Sequence, residues 1–114
     1  MRMWMVDPKF MCDKHLLGEH GEIHKHRHVF EKQCSISGRI YPKVQIQPSA
    51  MQLRHDELVL EMQRRNMRHQ SPFKQPDISY LPYFEKFAVV DTAESLIDLR
   101  DRCVNCYNRI VEIK

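Results

Sequence analysis

Apolar residues recur at helical spacing in three stretches of the chain, and each stretch follows a pattern typical of helix starts. The first start combines an N-cap side chain with a proline, and it predicts a helix that runs to about Lys32. The other two starts pair an N-cap residue with a glutamine or glutamate three positions later, as in a capping box. The starts are Asp7 with Pro8, Ser49 with Gln52, and Asp91 with Glu94.

The two connections between these helices are long and irregular. Residues 35–48 alternate weakly between apolar and polar positions, and residues 69–83 contain three prolines, which excludes a regular helix there. The pattern therefore predicts an all-α fold, a single compact domain spanning residues 1–114 with three main helices and long irregular connections.

Composition and length narrow the class of protein. A chain of 114 residues with 42% hydrophobic and 29% charged residues is typical of one ordinary globular domain. Its apolar runs are too short to cross a bilayer, and its first residues lack the apolar stretch of a secretory signal. We therefore expect a cytoplasmic protein, in the host cytoplasm if the source is viral. The net charge of +3 is compatible with a nucleic-acid partner without requiring one.

The segment HLLGEHGEIHKHRH, residues 15–28, holds five of the seven histidines. On a helix, four of its polar side chains would share one face, and an apolar stripe beside that face would be buried. A further line of histidines at spacing four would point elsewhere. The polar face comprises His15, Glu19, Glu22 and His26, the stripe Cys12, Leu16, Ile23 and Phe30, and the further line His20, His24 and His28.

Two interpretations concern the histidines of this segment. Histidines four residues apart can share a zinc ion, but Lys25 and Arg27 lie between them and would repel a cation. We therefore favour a solvated basic face for His24 and His28, and we expect no metal at this segment.

A third interpretation concerns Glu22 and the two glycines that precede it. Gly18 and Gly21 each cost a helix about 1 kcal/mol relative to alanine, yet glycine on a helix face lets another stretch of backbone approach closely. A glutamate beside such a groove suits a site where positive charge develops on a substrate. Composition alone leaves this as one hypothesis among the three.

Cys103 and Cys106 form a CxxC pair, which is half of a zinc site. Both cysteines fall in the apolar seam of the third predicted helix, where a cysteine serves as a small apolar residue. We therefore favour buried core residues over metal ligands; Cys12 and Cys34 could complete a zinc site only if the fold brings them near. The seam comprises Leu96, Leu99, Cys103, Cys106, Ile110 and Ile113.

Three segments resemble the phage-type pyrimidine-dimer DNA glycosylases, the small endonuclease V family. They are MRMWM at the start of the chain, KHLLGEHGEIHKHRHVF in the first predicted helix and MQLRHDELVLEMQRRNMRH in the second. The resemblance covers residues 1–70 and leaves residues 71–114 as a divergent loop with a C-terminal helix. It implies an N-terminal segment that lies between helices, with the α-amine of Met1 as nucleophile and Glu22 as the catalytic glutamate.

The family's chemistry implies a DNA glycosylase with AP-lyase activity. The amine would attack the deoxyribose, expel a damaged or modified pyrimidine, dimerised or not, form a Schiff base and nick the strand by β-elimination. An α-amine is less basic than a lysine, so a sizeable fraction is neutral near neutral pH. We expect a monomer that binds double-stranded DNA with damaged or modified bases, without a membrane, a metal or a small-molecule cofactor. The expected phosphate contacts are Arg2, Lys14, His15 and Lys25 around the groove, and Arg64, Arg65 and Arg68 on the second helix.

The sequence departs from the family at positions tied to the lesion. Gly21 and Lys25 stand where arginines are expected, and the family's aromatic- and lysine-rich C-terminal tail is absent. A different damaged or modified base therefore remains open as the target. Two other functions also remain open: a non-catalytic DNA-binding module on the same scaffold, and a metal-dependent nuclease that uses the histidine cluster.

Overall fold

Helices make up all the regular structure of the residues that the computed structural model describes, 2–68 and 72–113. The predicted all-α class is thereby confirmed, and within these residues no helix has both the length and the apolarity needed to cross a bilayer. Short 3-10 turns at Pro8–Phe10 and Pro48–Ala50 precede two of the long helices. The α-helices are α1 (Asp13–Glu31), α2 (Ser37–Ile40), α3 (Met51–Arg64), α4 (Tyr83–Lys86), α5 (Thr92–Arg102) and α6 (Val104–Ile113).

One buried core joins the N-terminal segment, α1, α3 and the α5–α6 pair. Its fully buried members include Met3, Ile46, Met51, Leu58 and Leu99. The apolar stripe predicted on α1 is confirmed, because Cys12, Leu16, Ile23 and Phe30 are all buried. Each large apolar side chain buried in this way contributes about 1.5–3 kcal/mol, so the stripe docks α1 into the core.

The first helix, α1, begins later than the sequence pattern predicts. Asp7 does cap a helical turn, and its side chain accepts a hydrogen bond from Lys9 N at 3.0 Å, but the turn is 3-10 and does not continue. The chain extends through Met11 before α1 starts. Arg65, just after α3, holds this break by donating to the carbonyls of Pro8 and Met11 at 3.1 and 2.7 Å. Local helix signals do not encode a contact between such distant segments.

The predicted capping box at Ser49 is wrong, whereas the predicted N-cap at Asp91 is confirmed. No side chain at the N-cap position of α3 caps the helix. Instead, Gln52 and Gln75 exchange hydrogen bonds of 3.0 and 2.8 Å between backbone N–H groups and side-chain oxygens, so a loop residue satisfies the first turn. At α5, the Asp91 side chain accepts a hydrogen bond from Glu94 N at 3.1 Å, as the pattern predicts.

The third predicted helix is interrupted at Cys103, so the prediction of one continuous helical seam is wrong. Cys103 is extended, with φ −133° and ψ 112°, and it separates α5 from α6. Cys106 and Ile110 remain buried, whereas Ile113 is 46% exposed. The interruption lets α6 pack against both α5 and the 3-10 turn before α1. It therefore brings the C-terminal cysteines to the start of α1.

A buried ion pair joins α1 to α3. Arg54, 1% exposed, donates to both carboxylate oxygens of Glu19 at 2.6 and 2.9 Å. The same guanidinium donates to Val6 O at 2.6 Å, which ties the N-terminal segment to the pair. Because both charges are removed from water, loss of one partner would leave the other charge uncompensated.

The N-terminal segment, residues 2–6, lies between helices as predicted. Met3 is fully buried and donates from its backbone N to Gln45 O at 2.8 Å. Trp4 meets His15 of α1 edge to face, with 5.6 Å between the ring centroids. Together with the hydrogen bonds from Arg54 of α3 to Val6 O and from Arg2 to Asp98 of α5, these contacts hold the segment between helices.

Candidate active site

Glu22 lies half-buried on α1, and His26 follows it one helical turn later. Nδ1 of His26 is buried and has no hydrogen-bond partner among the described residues. Burial is the largest cause that lowers the pKa of His26, and the nearby Glu22 carboxylate opposes that shift. His26 is therefore mainly uncharged near neutral pH. In the part of the chain that the structure describes, no cation forms an ion pair with Glu22.

The glycines beside Glu22 face open space. A Cβ built on Gly18 or Gly21 would meet no described atom within 4 Å outside its own stretch of helix. The close approach of another stretch of chain, which the sequence led us to expect, is therefore absent among residues 2–68 and 72–113. The two exposed glycines instead leave a strip of α1 without side chains, open to a large ligand.

The predicted nucleophile, the α-amine of Met1, lies outside the described residues. The guanidinium of Arg2 lies 3.9 Å from the centroid of the Trp4 ring and donates to Asp98 of α5 at 3.0 Å. Lys43 donates to the same carboxylate at 3.4 Å. The hydrogen bond from Arg2 is the main cause that lowers the pKa of Asp98. Ion pairing with α5 thus holds the segment that leads to Met1.

A recess of about 330 Å³ opens beside Arg2, and we call it the basic recess. Arg2, Lys43 and Arg102 line it together with Gln45. Of its cations only Arg2 is predicted from the sequence, because Lys43 belongs to an irregular connection and Arg102 to the distant α5. Several cations around one recess attract a phosphate, and the carboxylates of Asp98 and Glu94, which pair with Arg2 and Lys43, partly offset their charge.

The other predicted phosphate contacts differ in how far they are exposed. The exposed cations among them include Lys14, Lys25 and Arg68. Arg64 and Arg65 both donate to Glu61, at 2.5 and 2.7 Å, and the hydrogen bond from Arg64 is the main cause that lowers the pKa of Glu61. Arg64 is still 59% exposed, whereas Arg65 is 10% exposed and also donates to Asp13 at 3.0 Å. The geometry of Arg65 is that of a structural residue, and its contact with phosphate stays a prediction.

Three histidines converge between α1 and α3. The ligand nitrogens of His20, His24 and His55 all lie within 4.8 Å of one another. His24 Nε2 is 3.0 Å from His55 Nε2, and Phe73 packs on both rings. The prediction that His24 belongs to a solvated face is therefore wrong, because α3 and the loop after it cover that side of α1. His28 is exposed, as predicted.

A second cluster forms where α1 starts. Cys12 Sγ lies 3.7 Å from Cys103 Sγ and 3.3 Å from His15 Nδ1. The same ring nitrogen of His15 is 3.5 Å from the sulfur of Cys106, and burial raises the pKa of the Cys106 thiol to about 12. Cys34 is exposed and lies outside the cluster. His15 thus faces cysteines, and the phosphate contact expected of it stays a prediction.

Comparison with known proteins identifies a family to which the chain belongs. No curated protein and no solved structure matches the chain significantly. The model of one family, described as pyrimidine dimer DNA glycosylase, matches residues 1–75, well over half of the chain. The matched part contains α1 with Glu22, and α3, while α5 and α6 lie outside it. The chain therefore belongs to the pyrimidine dimer DNA glycosylase family, a family of DNA-repair enzymes.

Proposed function

We propose that this DNA glycosylase removes a damaged or modified pyrimidine from double-stranded DNA through a Schiff base on the α-amine of Met1, and then nicks the strand. The family match carries the proposal, because the matched residues 1–75 include both Met1 and Glu22. The half-buried position of Glu22 beside the open strip at Gly18 and Gly21 supports it.

The first step needs a neutral amine and a nearby carboxylate. The amine nitrogen attacks C1′ while the bond from C1′ to the base breaks, and the base leaves with the bonding electron pair. The new ammonium nitrogen then loses a proton, which regenerates its lone pair, and the departing base takes up one proton. Positive charge builds on the sugar in the transition state, where the Glu22 carboxylate stabilises it more than it stabilises the ground state. His26 is mainly uncharged and does not offset that negative charge.

The second step cuts the strand. The bond from C1′ to the ring oxygen breaks, the oxygen takes a proton, and the nitrogen lone pair forms the iminium bond to C1′. A general base of the protein then removes a proton from C2′. The bond from C3′ to oxygen breaks, and the phosphate leaves with its electron pair. Hydrolysis of the imine finally returns the free amine. We assign these proton transfers to the carboxylate of Glu22.

Phosphate binding would position the duplex over α1. We assign this role to the exposed Lys14 and Lys25 and to the basic recess next to the N-terminal segment. Arg2 would exchange its contact with Asp98 for a phosphate, a change of small cost because both side chains are partly exposed, at 21% and 24%. The strip without side chains at Gly18 and Gly21 gives room for a distorted duplex with a flipped nucleotide.

Borohydride trapping tests the nucleophile. With a free Met1 amine, borohydride should reduce the Schiff base and link the protein covalently to DNA that contains an abasic site. A variant extended by a few residues before Met1 should lose trapping while it keeps its helical circular dichroism and its affinity for DNA. Equal trapping by the extended protein would assign the nucleophile to a lysine and contradict the proposal.

The histidine cluster of His20, His24 and His55 favours one alternative function, a metal-dependent nuclease. Three histidines with converging nitrogens are a ligand set that catalytic zinc sites use. The chemistry of the cut end separates the two functions, because β-elimination leaves an unsaturated aldehyde at the 3′ end of the upstream fragment, whereas hydrolysis leaves a hydroxyl or a phosphate there. Mass spectrometry of the nicked DNA distinguishes these ends. A hydrolytic end that disappears in His55→Ala would establish the nuclease.

A further inference from the structure

Four side chains that can bind zinc meet where the start of α1 approaches the junction of α5 and α6. Cys12 is the N-cap residue of α1, and His15 lies in the first turn of the same helix. Cys103 separates α5 from α6, and Cys106 lies in the first turn of α6. One ligand atom from each of the four residues lies within 4.8 Å of all the others. Two CxxC-like spacings, CDKH and CVNC, thus converge at two helix N-termini.

Three of the six separations among these atoms match those of a single tetrahedral ion, and all six are within 4.8 Å. Zinc bonds of about 2.3 Å to sulfur and about 2.0–2.1 Å to nitrogen place two tetrahedral sulfurs about 3.8 Å apart, and a sulfur and a nitrogen about 3.5 Å apart. The observed separation of Cys12 Sγ and Cys103 Sγ is 3.7 Å. His15 Nδ1 lies 3.3 and 3.5 Å from its two sulfur neighbours. The group is too compact to surround a cluster of several iron atoms.

Backbone and charge around the cluster suit thiolate ligands. Cys12 N donates to Cys106 Sγ at 3.2 Å, and Cys106 N donates to Cys103 Sγ at 3.4 Å. Hydrogen bonds of this kind orient metal ligands, and the N-termini of α1 and α6 favour negative charge. Three thiolates and one zinc ion carry a single net negative charge, and the surface recess beside Cys12 is lined by two cations, Lys14 and Arg109, and by Asp13, which pairs with Arg65.

We propose that Cys12, His15, Cys103 and Cys106 hold a structural zinc ion that clamps the α5–α6 pair onto the start of α1. Four protein ligands complete the tetrahedron and leave no position for water or substrate, as in structural rather than catalytic zinc sites. Two of the ligands lie outside the matched residues 1–75, so membership of the family does not supply this site. The cysteines are metal ligands in this assignment, not simply core residues.

The zinc site would also stabilise the position of the N-terminal segment. His15 would bind zinc through Nδ1, which fixes its ring and leaves an N–H at Nε2. The His15 ring packs against the Trp4 ring in a T-shaped contact, with 88° between the ring planes. Zinc would therefore hold the contact that positions residues 2–6, and His15 would act as a ligand rather than as a cation for phosphate.

Metal analysis of the purified protein tests the proposal without reference to DNA repair. Protein produced with zinc in the medium and purified without chelators or metal resins should contain one zinc ion per chain by mass spectrometry. Cys103→Ala and His15→Ala should lose most of that zinc. Cys103→His, which preserves a four-ligand set, should retain it. The matched control is Cys34→Ala, which removes an exposed cysteine outside the cluster and should keep the full zinc content.

The wild-type chain alone decides the question if the variants fail to fold. A thiol-blocking organomercurial should release one zinc ion per chain into a colorimetric indicator, and cobalt(II) should give the intense visible bands of tetrahedral thiolate coordination. Chelation should lower the melting temperature of the wild type and of Cys34→Ala alike. Protein that takes up no stoichiometric zinc, or whose mass shows a disulfide among the clustered cysteines, would overturn the proposal. Because the experiment measures metal content, its outcome tests the zinc site independently of the glycosylase chemistry.

Discussion

Two glutamates three residues apart on α1 have opposite environments. Glu19 is 2% exposed and accepts two hydrogen bonds from Arg54. Glu22 is half-buried and has no ion-pair partner among the described residues. A charge that is already paired in the core stabilises the fold, whereas an unpaired carboxylate at the surface can stabilise a cation on a ligand. At the scale of single residues, structure and proposed catalysis are therefore separated within one turn of helix.

Glu22→Gln should lower the single-turnover rate of base excision by at least about a hundredfold, because an amide cannot stabilise the sugar cation or carry its protons. Affinity for DNA should be nearly unchanged, since the role proposed for the carboxylate is confined mainly to the transition state. Quenched single-turnover assays with excess enzyme measure the rate of base excision, and fluorescence anisotropy measures the affinity for DNA.

The control for that variant is His28→Ala, an exposed position on the same helix. It should leave the single-turnover rate unchanged and lower the affinity only modestly at low salt. A Glu22→Gln protein that excises bases at the wild-type rate would exclude Glu22 from the chemistry.

The helix elements α1 and α3 are joined by a polar centre inside an apolar interface. Arg54 of α3 contacts Glu19 of α1, the carbonyl of Val6 and, at 3.4 Å, the sulfur of Met11. One guanidinium therefore connects α3 with α1 and with the chain on both sides of the 3-10 turn at Pro8–Phe10. A buried charge of this kind requires all its partners, because the interior offers no water to replace them.

Glu19→Ala should lower the free energy of unfolding by about 3–5 kcal/mol, since the Arg54 charge would remain buried without its carboxylate. Glu57→Ala is the matched control, because Glu57 lies 3.5 Å from the same guanidinium but is 46% exposed. Its loss should cost about 1 kcal/mol or less. Urea unfolding followed by circular dichroism measures both. Equal effects of the two substitutions would contradict a buried structural pair.

The whole molecule depends on the part of the chain that lies outside the family match. Leu99 and Cys106 are fully buried in the same core as Leu16 of α1. Arg109 of α6 donates to Lys9 O at 2.9 Å, at the 3-10 turn before α1. Helices α5 and α6 therefore complete the core from the side of the N-terminal segment, and the catalytic part proposed for this enzyme packs against them.

Truncation after residue 75 should give a chain that does not unfold cooperatively, because it exposes apolar surface that α5 and α6 cover. Removal of residues 111–114 alone is the control, since its described members are exposed, and it should change the free energy of unfolding by about 1 kcal/mol or less. Urea titrations and proton NMR dispersion compare the two proteins. A residue 1–75 fragment with native dispersion would show that the C-terminal helices are dispensable.

The sequence by itself determined the features that depend on neighbouring residues. The helical class, the buried stripe of α1 and the Asp91 cap all follow from side chains within a turn or two of one another, and each is confirmed. The family was likewise readable from linear segments, and residues 1–75 match its model. Such patterns act through the local backbone, but they hold only where no distant contact replaces them, as Gln75 replaces the capping box predicted at Ser49.

Only the tertiary structure decided which distant residues meet. The breaks before α1 and at Cys103, the pairing of His24 with His55, and the burial of Arg54 all depend on packing between elements far apart in the chain. The CxxC pair shows the same limit, because its spacing favours a helical seam until the interrupted helix brings Cys103 and Cys106 to Cys12 and His15. Spacing along a chain specifies the face of a helix, but the partner of that face is selected by packing of the whole core.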